Sequence, residues 1–193
     1  RARALLGNSS TVGLNRWVPI RTSRLLIRPF QADDEEALYE LHRSEQVMLY
    51  AGGTKDREQS RRALENLIRK VATTGFGALA LEEILTGRVI GWCGIQAMRD
   101  LEGLEITYAL SVDQWGQGLA CEAASAMMSR AFNELGLERI YGLVFPQNAR
   151  SIRVLEKLGM VFRRSHLDQS SLRIISVYST NERSFLNSQS SSK

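Results

Sequence analysis

The sequence predicts a fold of the α+β class (mixed α/β), a single domain in which about four helices flank a central twisted mixed sheet of about seven strands. Three consecutive strand-like runs lie between residues 76 and 112, and the short turns between them favour antiparallel hairpins. An amphipathic segment then separates this block from another strand-like run, and a crossover helix of this kind typically joins parallel neighbours. The length of 193 residues is that of one domain.

In the first half of the chain, two helices follow a first strand. Arg24–Phe30 alternates between apolar and polar residues and ends at a Pro–Phe step, which predicts a strand. Asp33 or Asp34 can cap a helix that ends near residue 42. A second helix is predicted over Asp56–Val71, because its apolar residues recur at the spacing of one helical face. Three strands are predicted next: Phe76–Leu81, Arg88–Ala97 and Leu104–Val112.

In the second half, the hydrophobic period changes to that of a helix. Apolar residues recur on one face from Gly118 to Leu135, and Gly136 closes this predicted helix. Asn148 is a suitable N-cap for a second helix, which Gly159 closes. The strands predicted in this half are Arg139–Phe145, Met160–Arg164 and Ser171–Thr180.

The net charge of +4 is concentrated near the N-terminal end, where residues 1–32 contain six arginines and no acidic residue. Without those arginines the chain has a charge of −2, so the body of the protein is nearly neutral. Basic residues are not interleaved with aromatic ones, which argues against a specific nucleic-acid module. We therefore expect a flexible basic arm over residues 1–19, one domain over residues 20–185 and a disordered polar tail over residues 186–193.

The cysteine content and the hydropathy exclude several other classes of protein. Cys93 and Cys121 are too few for a disulfide framework or a zinc site, so we expect no bound metal. No apolar run approaches the roughly 18 residues that a membrane span requires, so we expect no membrane partner. These features favour a cytoplasmic protein.

The segment from Leu110 to Glu122 combines a strand end, a turn with two glycines and a helix start. A helix N-terminus presents unpaired backbone N–H groups and a partial positive charge, and glycines let a ligand approach the backbone. This arrangement is typical of a phosphate or pyrophosphate site, although an ordinary strand-to-helix turn has the same spacing. The chain lacks a P-loop, and Cys121 stands where the dinucleotide fingerprint requires its third glycine.

Two motifs resemble those of the GNAT superfamily of acetyl-CoA-dependent N-acetyltransferases. Trp115-Gly-Gln-Gly-Leu-Ala120 resembles the cofactor loop, with Trp in place of the usual Gln or Arg. Residues 115–123 match the loop of the Rim-type acetyltransferases, which modify the N-termini of ribosomal proteins. Asn148–Met160 resembles the family's second motif, Asn-x-x-Ser-x-x-x-Leu-Glu-Lys-x-Gly-Phe. The resemblance covers residues 20–185 and implies a GNAT-like fold.

The resemblance implies a binding site for acetyl-CoA (coenzyme A). The backbone of Leu110–Val112 would pair with the pantetheine arm, and the amides of residues 116–121 would hold the pyrophosphate. Asn148 would contact the pantetheine arm or the region of the thioester, a role that is compatible with its cap of the helix, and Ser151 would lie near the thioester. The implied cofactor-binding residues are Leu110, Val112, Trp115, Gly116, Gln117, Gly118, Leu119, Ala120, Cys121, Asn148 and Ser151.

Acetyl transfer needs a base for the amine, and the leaving thiolate can need an acid. Glu105, on the strand that leads into the loop, is the first candidate base by resemblance, although a solvent-facing Glu on a strand would look the same. His42, His166 and a water molecule are the alternatives. The tyrosine that many GNAT enzymes use as the acid is replaced by Leu155. Ser151 is a candidate acid, and a water molecule is the alternative.

The resemblance implies an N-acetyltransferase whose primary amine attacks acetyl-CoA directly in a ternary complex. The acceptor could be a protein N-terminus, a ribosomal protein among them, or a small amine, and the protein could be a monomer or a homodimer. A non-catalytic regulatory domain that binds acyl-CoA is the alternative. A basic module that binds RNA or the ribosome through its arginine-rich arm is a third hypothesis.

Overall fold

A computed structural model describes residues 19–98, 100–169 and 171–190. Nearly all of the expected basic arm and the last three residues of the expected tail therefore lie outside the described residues.

The domain is built on one sheet of eight strands in the order β1-β2-β3-β4-β5-β6-β8-β7. All neighbours are antiparallel except β5 and β6, which are parallel, as the crossover helix between them predicts. The strands are β1 (Ile20–Arg21), β2 (Leu25–Arg28), β3 (Gly77–Glu83), β4 (Val89–Ala97), β5 (Leu104–Leu110), β6 (Ile140–Val144), β7 (Val161–Asp168) and β8 (Arg173–Thr180).

Six α-helices lie within the described residues. They are α1 (Glu35–Arg43), α2 (Glu45–Met48), α3 (Arg57–Thr74), α4 (Leu119–Asn133), α5 (Ala149–Lys157) and α6 (Glu182–Ser190). Local sequence explains several of their ends. Asp56 and Gln59 form a capping box at the start of α3, and Gly75 ends this helix in the left-handed conformation.

The two faces of the sheet are covered by different helices. Helix α4 turns a continuous apolar stripe, with Ala123, Met127 and Ala131 fully buried, towards the core that includes Cys93 of β4 and Ile106 of β5. A smaller cluster on the opposite side joins Leu38 of α1 and Leu64 of α3, with Trp92 of β4 packed against it. Side chains on one face of the sheet therefore pack against α4, and those on the other face pack against α1 and α3.

The central feature of the sheet is the divergence of its two parallel strands. Strands β5 and β6 pair at Glu105 and Tyr141, near the start of each. Beyond this pair, the described residues of the two strands carry no further ladder pairing. The strands therefore separate towards their C-terminal ends, which leaves a gap between Leu110 and Val144.

The predicted fold class is confirmed, with small differences in the number of elements. The part of the chain that the structure describes has eight strands where about seven were predicted, because β1 has only two residues and carries no periodic signal. Six helices replace about four. Helix α2 is a single turn capped by Ser44, and α6 occupies part of the tail that we expected to be disordered. The buried side chain of Phe185 packs against that of Phe132, with ring centroids 5.6 Å apart and a tilt of 41°, and holds α6 on the core.

Candidate active site

A cavity of about 1040 Å³ occupies the gap between β5 and β6. Its lining comes from β5, the start of α4, the end of β6 and helix α5, with residues 46–52 closing one side. The ring of Tyr50 lies 5.7 Å from that of Phe145, centroid to centroid, so that the 46–52 segment reaches across to the end of β6. The cavity is therefore a cleft with walls from both halves of the chain.

The turn between β5 and α4 leaves its backbone open. Gly116 and Gly118 have φ angles of 79° and 80°, in the left-handed region that favours glycine. No atom lies within 4 Å of the position that a Cβ on Gly116 would take. Gly118 is the N-cap of α4, and the first amides of this helix have no intrahelical acceptor. The turn, residues 115–121, is called the cofactor loop below.

Hydrogen bonds tie the cofactor loop to the end of β5. The indole Nε1–H of Trp115 donates to the carbonyl oxygen of Leu110 at 2.8 Å. The amide of Ser111 donates to Ile90 on β4, so that Leu110, the preceding residue, directs its backbone towards the gap. The Arg150 guanidinium lies over the Trp115 ring, 4.5 Å from its centroid, and thus connects α5 to the loop.

Most of the residues predicted for the cofactor lie in this one cleft. Two do not line it: Val112, which is exposed in a short 3₁₀ turn, and Gln117, whose amide donates to the carbonyl oxygen of Asp113. The predicted cofactor residues that line the cleft are Leu110, Trp115, Gly116, Gly118, Leu119, Ala120, Cys121, Asn148 and Ser151.

The predicted base, Glu105, also lines the cleft, where β5 and β6 are still paired. It lies opposite Gln96 of β4, whose side-chain amide donates to Glu105 Oε1 at 3.0 Å. Glu105 is half-buried, so its carboxylate can meet a solute that enters the cleft. Gln96, which our sequence analysis did not identify, lies on the same face because the pair is in register.

The two alternative bases differ in their access to the cleft. His42 is buried, and its Nδ1 lies 2.9 Å from Ser60 Oγ. Burial, helped by the nearby Lys55 charge, lowers the pKa of His42 to about 4. It does not line the cleft. His166 does, and its buried Nε2 has no hydrogen-bond partner among the described residues.

Tyr108 and Ser151 form a pair of hydroxyl groups that the sequence analysis missed. The Tyr108 hydroxyl lies 2.8 Å from Ser151 Oγ and 3.2 Å from the Ser151 carbonyl oxygen. Burial raises the pKa of Tyr108 well above its ordinary value, so the phenol stays protonated. Asn148 caps the same helix, since its Oδ1 accepts from the Ser151 amide at 3.2 Å. The alternation of side chains along β5 could have predicted which face of the sheet Tyr108 lies on. Nothing in the sequence predicts its contact with Ser151.

Charge is distributed unevenly around the cleft. Among the described residues, the cations that line it come from α5, on the side of the cofactor loop: Arg150, Arg153 and Lys157. The carboxylates that line it come from other elements: Asp100, Glu105 and Asp168. Burial raises the pKa of the Cys121 thiol, although Lys157 opposes this, and Cys121 is therefore not an activated nucleophile.

Two features that bear on binding partners are absent from the described residues. These residues contain no group of three or more acidic, histidine or cysteine side chains that could hold a metal ion. None of their helices is both long enough and apolar enough to span a bilayer.

Comparison of the sequence with known proteins identifies its relatives. Residues 24–161 match the family model described as acetyltransferase (GNAT) domain. The chain is 32% identical over 155 residues to YkkB, an uncharacterised protein of Bacillus subtilis (strain 168), a match that covers 79% of this chain and 90% of YkkB. It is 30% identical over 167 residues to the uncharacterised N-acetyltransferase p20 of Bacillus licheniformis, covering 81% and 91% of the two chains.

Solved structures show the same fold. An acetyltransferase from Agrobacterium tumefaciens str. C58 has a TM-score of 0.75 and 27% identity, covering 86% of this chain and 95% of its own. Mycobacterium smegmatis RimJ, solved in complex with CoA-disulfide, has a TM-score of 0.68, 20% identity and coverages of 86% and 87%. The ribosomal-protein-S5-alanine acetyltransferase of Vibrio fischeri has a TM-score of 0.70, 16% identity and coverages of 87% and 98%. With its open glycine loop, its diverging strands and a family match over most of its length, the chain belongs to the GNAT family of N-acetyltransferases.

Proposed function

We propose that the protein transfers the acetyl group of acetyl-CoA to a primary amine, which attacks directly while both substrates are bound. The observation that carries the proposal is the single cleft that contains both the open cofactor loop and the Glu105 carboxylate. One cleft can hold the two substrates together, and such positioning accounts for much of the rate enhancement of group transfer.

The residues of the cleft fit an acyl-CoA. The exposed glycines and free amides of the cofactor loop suit a pyrophosphate, and the cations of α5 lie on the same side. The backbone of Leu110 faces the gap, and while its carbonyl oxygen already accepts from Trp115, its N–H suits a carbonyl of the pantetheine arm. Acetyl-CoA supplies a reactive thioester, and the remaining chemistry is proton transfer by the chain.

Glu105 is the proposed base. An amine attacks only when it has lost its proton, and a half-buried carboxylate can accept this proton directly or through a water molecule. The Gln96 amide fixes the orientation of the carboxylate. His166 is the alternative in the same cleft, whereas His42 is separated from it.

Ser151 is the proposed proton donor for the departing sulfur. Its Oγ lies beside the Tyr108 hydroxyl, and each hydroxyl can donate to the other. When Tyr108 donates to Ser151 Oγ, the Ser151 proton is free to point into the cleft. The pair therefore offers an O–H donor in a protein that has Leu155 in place of the usual tyrosine.

The proposed acceptor is a protein N-terminus or a small amine. The carboxylates of the cleft favour a positively charged molecule. The Vibrio fischeri structure is named for acetylation of ribosomal protein S5, which makes a ribosomal protein a reasonable first acceptor to test.

A CoA-release assay with small amines, peptides and ribosomal proteins tests the proposal. We expect at least one acceptor to release CoA, and Glu105→Gln to slow that reaction about 10²- to 10⁴-fold while CoA affinity is unchanged. Glu102→Gln is the matched control, because Glu102 is exposed and does not line the cleft. CoA binding without transfer to any acceptor would favour a non-catalytic domain. Normal turnover by Glu105→Gln would reject this residue as the base and direct attention to His166.

A further inference from the structure

Glu122, in the first turn of α4, connects the β1–β2 turn to the end of the cofactor loop through hydrogen bonds and an ion pair. Its Oε1 accepts hydrogen bonds from Thr22 Oγ1 at 2.6 Å, from Ser23 Oγ at 2.9 Å and from the Arg24 amide at 2.9 Å. Its Oε2 pairs with the Arg24 guanidinium, with Nε at 2.7 Å and Nη2 at 2.6 Å. Thr22, Ser23 and Arg24 together with Glu122 form what we call the 22–24 clamp.

The clamp holds Glu122 in its charged form. Burial disfavours the carboxylate, but the hydrogen bonds from Thr22, Arg24 and Ser23 outweigh it and hold the pKa of Glu122 below its usual value. A negative charge is therefore fixed within one turn of the helix N-terminus.

A bare carboxylate at this place would oppose the binding of phosphates. The proposed pyrophosphate site is the set of free amides at the start of α4, within one helical turn of Glu122. Two negative charges this close in a partly buried site repel each other. The positive charge of Arg24 compensates the negative charge of Glu122. The side chain of Glu122 is 15% exposed and that of Arg24 is 48% exposed, so the cation lies on the solvent side of the pair.

Arg24 also contacts the cofactor loop itself. Its Nη1 donates to the Gln117 carbonyl oxygen at 2.9 Å, and its Nη2 lies 3.7 Å from the position that a Cβ on Gly118 would take. These contacts and the ion pair use three of the five N–H groups of a guanidinium, and the other two can donate to a phosphate oxygen.

We propose that Arg24, held by Glu122, is a specificity-determining residue of the cofactor site: it fixes the Gln117–Gly118 peptide, and its positive charge compensates the negative charge of Glu122 so that the site accepts the phosphates of CoA. This inference rests on the proposed use of acetyl-CoA. The rest of the transfer machinery does not involve the 22–24 clamp, so thioesters that lack phosphates should not depend on Arg24.

The test compares acetyl-CoA with S-acetylpantetheine, which has the same thioester and no phosphate. For Arg24→Gln we expect a KM for acetyl-CoA and a dissociation constant for CoA that are both at least tenfold higher. We expect kcat with acetyl-CoA and kcat/KM with S-acetylpantetheine to be unchanged. Arg21→Gln is the matched control, since Arg21 is an exposed neighbour on β1 and its loss changes the net charge equally.

A double variant separates charge compensation from simple support of the fold. Arg24→Gln with Glu122→Gln removes both charges, and we expect it to bind CoA more tightly than Arg24→Gln alone. Equal losses with both thioesters, or a double variant weaker than the single one, would show a structural role and overturn the proposal. If Arg24→Gln does not fold, Glu122→Gln and Arg24→Lys are measured with the same two thioesters.

The two proposals fail in different ways. If the wild-type protein binds no CoA in calorimetry, the proposed function is wrong. If the wild type binds CoA and Arg24→Gln binds it equally well, only the role of Arg24 is wrong.

Discussion

Acidification from pH 7 to pH 5 should destabilise the protein through His42. His42 is 5% exposed, and its ring is tilted against that of Trp92 with centroids 5.8 Å apart. This buried position disfavours the charged imidazolium form. Burial, followed by repulsion from Lys55, lowers the pKa of His42 from 6.5 to about 4. The unfolded chain therefore takes up a proton at a pH at which the folded chain does not.

The sign and size of the effect follow from proton linkage. Between pH 6.5 and pH 4 the unfolded state binds more protons at this site, so the free energy of unfolding falls as the pH falls. With these two pKa values, His42 removes about 2 kcal/mol of stability between pH 7 and pH 5. The ordinary pKa values of free Asp and Glu side chains lie at about 4, below this interval.

Urea unfolding at pH 7, 6 and 5 measures the effect. The wild type should lose about 2 kcal/mol over this range. His42→Gln, which keeps a polar partner for Ser60 but cannot be protonated, should lose much less. Parallel losses in the two proteins would refute the assignment, because the pH dependence would then arise elsewhere.

Three other substitutions test the site and its support. Gly118→Ala places a side chain at a φ of 80°, which should cost about 1–2 kcal/mol of loop stability and weaken CoA binding in calorimetry roughly tenfold. Tyr108→Phe removes the hydroxyl beside Ser151, and we expect a lower kcat with an unchanged dissociation constant for CoA. Gly142→Ala would bring a Cβ to 2.6 Å from Leu155 Cδ2 in the core, and urea unfolding should show a loss of about 1–3 kcal/mol.

Features that depend on neighbouring residues could be predicted from the sequence. The cap at Asn148, for example, needs only a side-chain oxygen three residues before a free amide, and the structure has this hydrogen bond. The helical face of α4 follows from the period of its apolar residues in the same way. The open conformation of the cofactor loop was indicated by its glycines, since few other residues adopt positive φ.

Features that depend on distant residues could not be predicted. Tyr108 and Ser151 are 43 positions apart, and Thr22 and Glu122 are 100 positions apart. Each pair forms because the order of the strands in the sheet brings separate elements together. The hydrophobic periodicity of a segment does not predict this order. The same reason explains why Val112 seemed to continue β5, although the chain turns after Leu110.

The divergence of β5 and β6 explains why the two halves of the cleft differ. Where Glu105 and Tyr141 are still paired, the strands leave no room between them, so a solute can meet only side chains such as the Glu105 carboxylate. Farther along, the separated strands expose backbone groups that would otherwise pair with each other, and an extended ligand with amides of its own can satisfy them. At the open end, the free amides of α4 and the cations of α5 add positive charge. A molecule with phosphates at one end, amides in the middle and a reactive group at the other would match these environments in that order, and the proposed acetyl-CoA complex would therefore place its thioester towards Glu105.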